Sequence, residues 1–358
     1  MAFLSTALVS VAEIAKPTGM WEWLILKVFS FVANYGWRIV VFTVLLKVLL
    51  SPLDIYQRYM GRKNQKIMER IRPQVEKLKK QYPDKTEFAQ KQAQLNKKEG
   101  MSMMSACLPA IVTLVIFITL LSGLNSVSSY MNFKEYYELH STYETVYTQS
   151  IDDGMVEADA VATAQDAVYD EYQETKTSFL WIKNVWSPDV PWKDEVHDYA
   201  TFKSNCGDYA KDIKESGITQ AELDNMMLEG KYNLVMGKVL AKENNGSIGY
   251  LVLPVLEVVL SVTTQILSQR QQKKSGQVNE MAGGGAMKVM LIIMPILIGY
   301  FSLSYTSAFT LYLVVQYAIS LLITLGANFI LYTIDKKQKE KLETQVVKYG
   351  RPDPNDKN

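Results

Sequence analysis

The sequence predicts an all-α polytopic membrane protein with five transmembrane helices, a cytoplasmic helical hairpin and a large acidic external insertion. Three observations carry that expectation. Val289 to Ile334 is a run of 46 residues without Asp, Glu, Lys or Arg, and Met101 to Phe133 is a second run of 33. A bilayer core of roughly 30 Å is crossed by about 20 apolar helical residues, and soluble helices are not expected to be this long and uncharged. Charge is segregated along the chain although the totals nearly cancel, 38 Lys and Arg against 37 Asp and Glu. The apolar runs exclude a soluble globular enzyme. A content of two cysteines, Cys107 and Cys206, excludes a secreted disulfide scaffold.

Residues 1–33 form the N-terminal segment. Met1 to Ala12 lacks the basic start of a secretory signal. Trp21 to Ala33 is apolar but too short to cross, and its two tryptophans suit a helix lying on the membrane surface, with a sixth span as the alternative. Asn34, Tyr35 and Gly36 then turn the chain inward. Residues 34–58 form the first span, whose middle is charge-free except for Lys47.

Residues 59–103 read as a hairpin. Arg62 to Gln81 places Ile67, Met68, Ile71, Val75 and Leu78 at helical spacing opposite a basic face of Arg62, Lys63, Lys66, Arg70, Arg72, Lys77, Lys79 and Lys80, and Pro73 should bend the helix. Tyr82, Pro83 and Asp84 make a turn. Thr86 to Lys98 forms a second helix with Phe88, Ala93 and Leu95 as its apolar contacts. So little apolar surface predicts a loosely held hairpin; a plain solvated linker is the alternative.

The second span covers 104–128. Residues 129–246 are acidic yet rich in aromatics, including Trp181, Trp186 and Trp192, and carry two capping-box patterns, Ser150 with Asp153 and Thr219 with Glu222. This predicts helices packed on aromatic side chains. His140 and His197 are isolated and read as surface histidines. The sequon at Asn245, Gly246 and Ser247 abuts the membrane and carries no weight. A third span covers 247–269, charge-free except for Glu257, and a cytoplasmic loop covers 270–286. The 46-residue run would extend about 69 Å as one helix, so it must be two spans, 287–303 and 307–333. The polar cluster Ser302, Ser304, Tyr305, Thr306 and Ser307 marks the turn between them, and residues 334–358 form the tail.

Orientation follows from the loops. Residues 57–103 carry 13 Lys and Arg against 5 Asp and Glu, residues 268–288 carry 4 against 1, and the tail carries 7 against 5. Residues 129–246 carry 10 against 22. The positive-inside rule places the basic segments in the cytoplasm, the N-terminus and acidic segment outside, and the C-terminus inside. With no transit peptide and no long basic C-terminal extension, a bacterial plasma membrane is the expected location.

A Lys in mid-span costs at least roughly 2.5 kcal/mol, so Lys47 must face a protein interior or a wet cavity. Glu257 is expected at similar depth, and Thr43, Thr113, Thr119, Ser261, Thr264, Gln265 and Gln316 supply further polar groups on the spans. A polar cavity within the bilayer is one reading; a Lys47–Glu257 ion pair that only fixes helix packing is the other.

These residues carry a resemblance. Asn34-Tyr35-Gly36-Trp37, then Lys47 in mid-span and Ser51-Pro52-Leu53, resembles the first span of the YidC/Oxa family of membrane protein insertases. Pro73 in a basic helix, Lys98-Glu99-Gly100 and Cys107-Leu108-Pro109 resemble that family's hairpin and second span. Phe179-Leu180-Trp181-Ile182 and Ser187-Pro188-Asp189 are similar to its external linker, and Leu253-Pro254-Val255-Leu256 to the start of its third span. Met287-Lys288-Val289-Met290, Met294-Pro295-Ile296 and Leu311-Tyr312 resemble its last two spans. The chain departs from the pattern at Lys47, where the family usually has Arg, and at Thr113 and Val115, where Gln and Pro are usual. It departs again at Thr306-Ser307-Ala308 in place of Pro-Ala-Gly, at Glu257, and in two acidic insertions at about 130–177 and 190–246.

The resemblance implies an insertase whose helices enclose a hydrophilic groove, closed outside and open to cytoplasm and lipid, with Lys47, Thr43, Thr113, Glu257, Ser261, Thr264, Gln265 and Gln316 as its polar lining. It implies nascent membrane proteins as substrates, the ribosome, a Sec-type translocon and the signal recognition particle pathway as partners, and anionic lipids at the hairpin. No DNA partner, cofactor, metal or enzymatic activity is expected, since no catalytic or metal-ligating constellation is visible. The competing function is a small-molecule or ion transporter or channel using Lys47 and Glu257. A receptor or scaffold acting through the acidic exterior is a third.

Overall fold

The computed structural model describes residues 16–101, 103–211, 219–244, 250–274 and 284–326. The first twelve residues, the sequon and the tail 334–358 lie outside them. Among the described residues the chain is helical and contains no strand; Phe179 and Ile182 form one isolated bridge.

The N-terminal segment forms α1, Met20–Trp23, which widens into a π-helical turn over Leu24–Val28. Its two faces differ. Trp21, Ile25, Leu26 and Phe29 are buried, whereas Met20, Trp23 and Phe31 are exposed. Phe42 receives Trp21 and Phe29 edge-on at 6.1 and 5.8 Å.

The helix α2 runs from Tyr35 to Gln81 without a break, through Pro52 and Pro73. The boundary expected between a span ending at 58 and a separate hairpin helix is therefore not a break. Residues 54–66 offer no helix-terminating signal beyond a single tolerated Gly61, so nothing stops the helix. At Tyr82 it turns, and α3 covers Lys85–Lys98. Asp84 caps α3 by accepting from Thr86 N–H at 2.8 Å and Glu87 N–H at 3.0 Å, and those donors hold its carboxyl below the usual range. The two helices share a small core of Ile71, Val75 and Phe88 with Ile67, Met68, Leu78 and Leu95, separate from the main core. Ala93 is exposed and takes no part in it.

The helix α4, Met103–Asp152, likewise continues past the expected boundary at 128, because residues 124–150 contain neither Gly nor Pro. It carries the acidic domain. Gly154, at φ 83°, turns the chain into α5, Glu157–Thr175. Ser150 is thus not a helix N-cap as its pattern suggested; it is buried in the last turns of α4, and Val156 begins α5 with no side-chain cap. The Thr219–Glu222 pair does form a capping box, at the start of α7, Gln220–Met226.

Four-residue spacing puts Ala160, Ala164, Val168 and Tyr172 on one buried stripe of α5, against α4 and α8, Glu229–Glu243. The acidic domain is centred on Tyr136, Tyr232 and Phe202, the last on α6, Tyr199–Lys211; their ring centroids lie 4.7 to 4.9 Å apart. Each tyrosine hydroxyl finds a backbone acceptor: Tyr136 donates to Met226 O at 2.8 Å and Tyr232 to His197 O at 2.7 Å. His140 and His197 are part-buried rather than on the surface, and the His140 ring packs edge-on against Tyr136 at 6.1 Å.

Three further helices complete the apolar part: α9, Val252–Lys274, α10, Gly284–Ser304, and α11, Ser307–Gly326. The turn between α10 and α11 falls within the polar cluster that marked it. Tyr35–Gln57, Ile111–Asp152 and Ser307–Gly326 are long and apolar enough to cross a membrane, and Val252–Leu267 and Pro295–Ser304 are shorter apolar helical stretches. Of the three, α11 is the most enclosed, 44% of its most apolar stretch being buried against 17% for the first.

Candidate functional site: a cleft around Lys47 and the linker that closes one end

On α2, spacings of four, three and four place Thr43, Lys47, Leu50 and Asp54 on one face. That face meets Thr113 and Ile116 of α4 and Tyr312 and Gln316 of α11 around a narrow cleft with room for roughly one water molecule. Four residues expected to lie together, Thr43, Lys47, Thr113 and Gln316, do line one space. The amide oxygen of Gln316 is buried without a hydrogen-bond partner, a lone acceptor that water entering the cleft would satisfy. Thr43 donates to Ile39 O at 2.6 Å and is thereby held against its own helix.

Lys47 does not pair with Glu257. Its Nζ lies 2.9 Å from Asp54 Oδ2, with the two side chains 12% and 25% exposed. Glu257 is enclosed between α9 and α10, 0% exposed, and accepts from Ser302 Oγ at 3.3 Å. The two were expected at similar depth from a span beginning near Ser247, whereas α9 begins at Val252. Glu257 is then five residues into its helix while Lys47 is twelve past Tyr35. Ser261 and Thr264 donate to their own helix, to Val258 O at 3.0 Å and Leu260 O at 2.8 Å. These two, with Gln265 and Glu257, do not line the cleft.

The segment 177–190 ties four helices together at the other end of the bundle. Asn34, the N-cap of α2, accepts from Gly36 and Trp37 N–H at 2.9 and 3.3 Å and donates to Ser178 O at 3.0 Å. Gly36 is required here, since a Cβ would lie 2.1 Å from Phe179 Cγ. Trp37 and Tyr35 pack edge-on against Phe179 and Trp186 at 5.4 and 5.5 Å. Ser128 of α4 reaches Trp186 O at 3.5 Å. Ser307 donates from both N–H and Oγ to Ser187 O, at 2.9 and 2.6 Å, and Ala308 N–H donates to Val185 O at 2.9 Å. These bonds satisfy the otherwise orphaned first turn of α11. Asp189 does the same for α9. Behind the segment Glu195 is fully buried between Tyr172 and Lys183, each at 3.5 Å, and burial pushes its carboxyl up.

On the hairpin, Lys63, Lys66, Arg70, Arg72, Lys77, Lys79 and Lys80 are all exposed, and the Arg62 side chain lies outside the described residues. Arg70 crosses to Glu99 at 2.7 Å, joining the start and end of the hairpin.

Sequence reasoning missed Asp54 and Arg38. Asp54 could have been found from its i+7 relation to Lys47. Arg38 is buried, stacks 4.1 Å over Tyr35 and donates to Val32 O at 2.8 and 3.1 Å, a contact with no sequence signal. Among the described residues no group of His, Cys, Asp and Glu could hold a metal.

A family model described as "60Kd inner membrane protein" matches residues 27–336. The membrane protein insertase YidC of Stenotrophomonas maltophilia (strain K279a) is 37% identical over 99 residues, covering 27% of this chain and 17% of that protein. Those of Xanthomonas euvesicatoria pv. vesicatoria (strain 85-10) and Thiobacillus denitrificans (strain ATCC 25259 / T1) are 35% and 31% identical, with the same coverage. The match thus spans about a sixth of the length of these relatives. The family match covers most of the chain, and the chain belongs to the 60Kd inner membrane protein family, that is, the YidC/Oxa family.

Proposed function

We propose that the chain is a membrane protein insertase of the bacterial plasma membrane that admits a nascent segment to the cleft around Lys47. In this reading it has five spans, the acidic domain and N-terminus lie outside, and the hairpin and C-terminus lie in the cytoplasm. The observation that carries the reading is Lys47, paired with Asp54, among hydroxyl and amide groups at a cleft between three of the apolar helices, in a bundle tied together at its other end by segment 177–190. A polar tail cannot enter hydrocarbon without losing its hydrogen bonds, so a wet cleft reaching into the bilayer shortens the apolar path it must cross. The lipid-facing wall then accepts the emerging helix. The exposed basic face of the hairpin suits the ribosome, the signal recognition particle or anionic lipid, and a Sec-type translocon is a further partner.

Insertion of a single-span client by protein reconstituted in vesicles tests the reading. Lys47→Ala is expected to impair insertion and Lys47→Arg to retain it. Wild-type insertion by Lys47→Ala would remove the cleft from the mechanism. Small-molecule flux through the same vesicles is expected to be absent, and its presence would favour a transporter.

A further inference from the structure

The charge of the cleft is not that of Lys47 alone. Among the described residues that line it, Lys47 and Asp54 are the charged ones, one of each sign, with 2.9 Å between Nζ and Oδ2. They stand seven residues apart, two turns along α2 on the same face. Helical side chains lean toward the helix N-terminus, so the Asp54 carboxylate leans back toward Lys47. Asp is a poor residue for a helix interior, and among the described side chains Lys47 is the cation that meets it.

Resting on the insertase reading above, we infer that Asp54 is a specificity-determining residue: a built-in competitor for Lys47 that makes the cleft nearly indifferent to the charge of the client's tail. An unpaired ammonium would draw a client carboxylate and reject a basic tail. Paired, it presents a dipole whose field falls off faster than that of a single charge, and an acidic tail must displace Asp54 before it can use the same donors. A neutral tail meets no uncompensated cation.

The test uses full-length protein in vesicles and two matched single-span clients, one with acidic residues in its N-terminal tail and one with Asn and Gln in their place. The ratio of acidic to neutral client inserted is expected to be near one for the wild-type protein. It should rise about threefold or more in Asp54→Asn, the scale of a partly shielded ion pair. Asp54→Glu should restore the wild-type ratio, which a merely structural role for the position would not require. In Lys47→Ala alone the unpaired Asp54 carboxylate should push the ratio below one, and the double variant Lys47→Ala with Asp54→Asn should return it to near one, because neither charge is left. An unchanged ratio in Asp54→Asn, or a rise above one that persists without Lys47, overturns the inference while leaving the insertase reading standing. Undiminished insertion of both clients by Lys47→Ala overturns both. Should Asp54→Asn fail to accumulate as folded protein by circular dichroism, Asp54→Ser is read in its place against the same outcomes.

Discussion

The carboxylate of Asp189 caps the start of α9 at Leu253. Its Oδ2 accepts from Leu253 N–H at 3.0 Å, and its Oδ1 accepts from Tyr250 N–H at 2.9 Å. Asp189 is 6% exposed, so the two backbone donors have little access to water as a replacement. Truncation to Ala leaves them unsatisfied, and the expected loss is about 1–3 kcal/mol. Asp189→Asn, which keeps one acceptor oxygen, should lose less. Thermal unfolding in detergent micelles measures both, and an Ala variant as stable as the parent would show that this bond does not hold α9.

The hairpin has its own core, and Ile71 at its centre is 0% exposed. Ile71→Ala should remove roughly 2–5 kcal/mol of packing, the usual range for a large-to-small core change. Because Ile71, Val75 and Phe88 are separate from the main cluster, the effect should stay local. Amide hydrogen exchange is expected to accelerate over Lys85–Lys98 and the end of α2, with the acidic domain unchanged. Acceleration throughout the protein would contradict the independence of the two cores.

His197 supplies a pH dependence. Burial pushes its imidazole down to about 4, with Lys193 adding to the effect and Asp198 opposing it. A histidine that resists protonation when folded binds fewer protons than the unfolded chain between that value and the unfolded pKa of about 6.5. Its contribution to stability is therefore complete above about pH 6.5 and is lost as the pH falls toward 4, by up to roughly 3 kcal/mol. Glu195, raised by burial, acts in the opposite direction and partly masks the trend in the parent protein. His197→Gln should flatten the acid limb of a stability profile measured by denaturant unfolding from pH 7 to pH 4. A variant profile parallel to that of the parent would mean that His197 is not the responsible group.

Much of this was legible in the residues. The turn at Asp84 was readable because capping is local, and the Thr219–Glu222 box for the same reason. The stripe from Ile67 to Leu78 follows from helical periodicity. The gathering of Thr43, Lys47, Thr113 and Gln316 was readable because a polar residue in a charge-free helix must turn inward. The pairing of Lys47 was not. Depth was judged from where each span seemed to begin, and the start of α9 at Val252 depends on Asp189, more than sixty residues away. The same limit explains Ser150, whose capping pattern was overridden by a helix that had no reason to stop.

Charge and apolar run length were enough to divide the chain into membrane-compatible helices, a basic hairpin and an acidic domain, since those properties act over one segment at a time. Tertiary structure decided that α2 and α4 run on unbroken beyond the apolar stretches into the hairpin and the acidic domain. It also decided that residues 177–190 bind the starts of α2, α9 and α11 and the middle of α4, and that Asp54 rather than Glu257 answers Lys47. Those outcomes rest on hydrogen bonds and ion pairs of a few ångströms between groups that meet only once the helices have packed, and no property of a single segment encodes them.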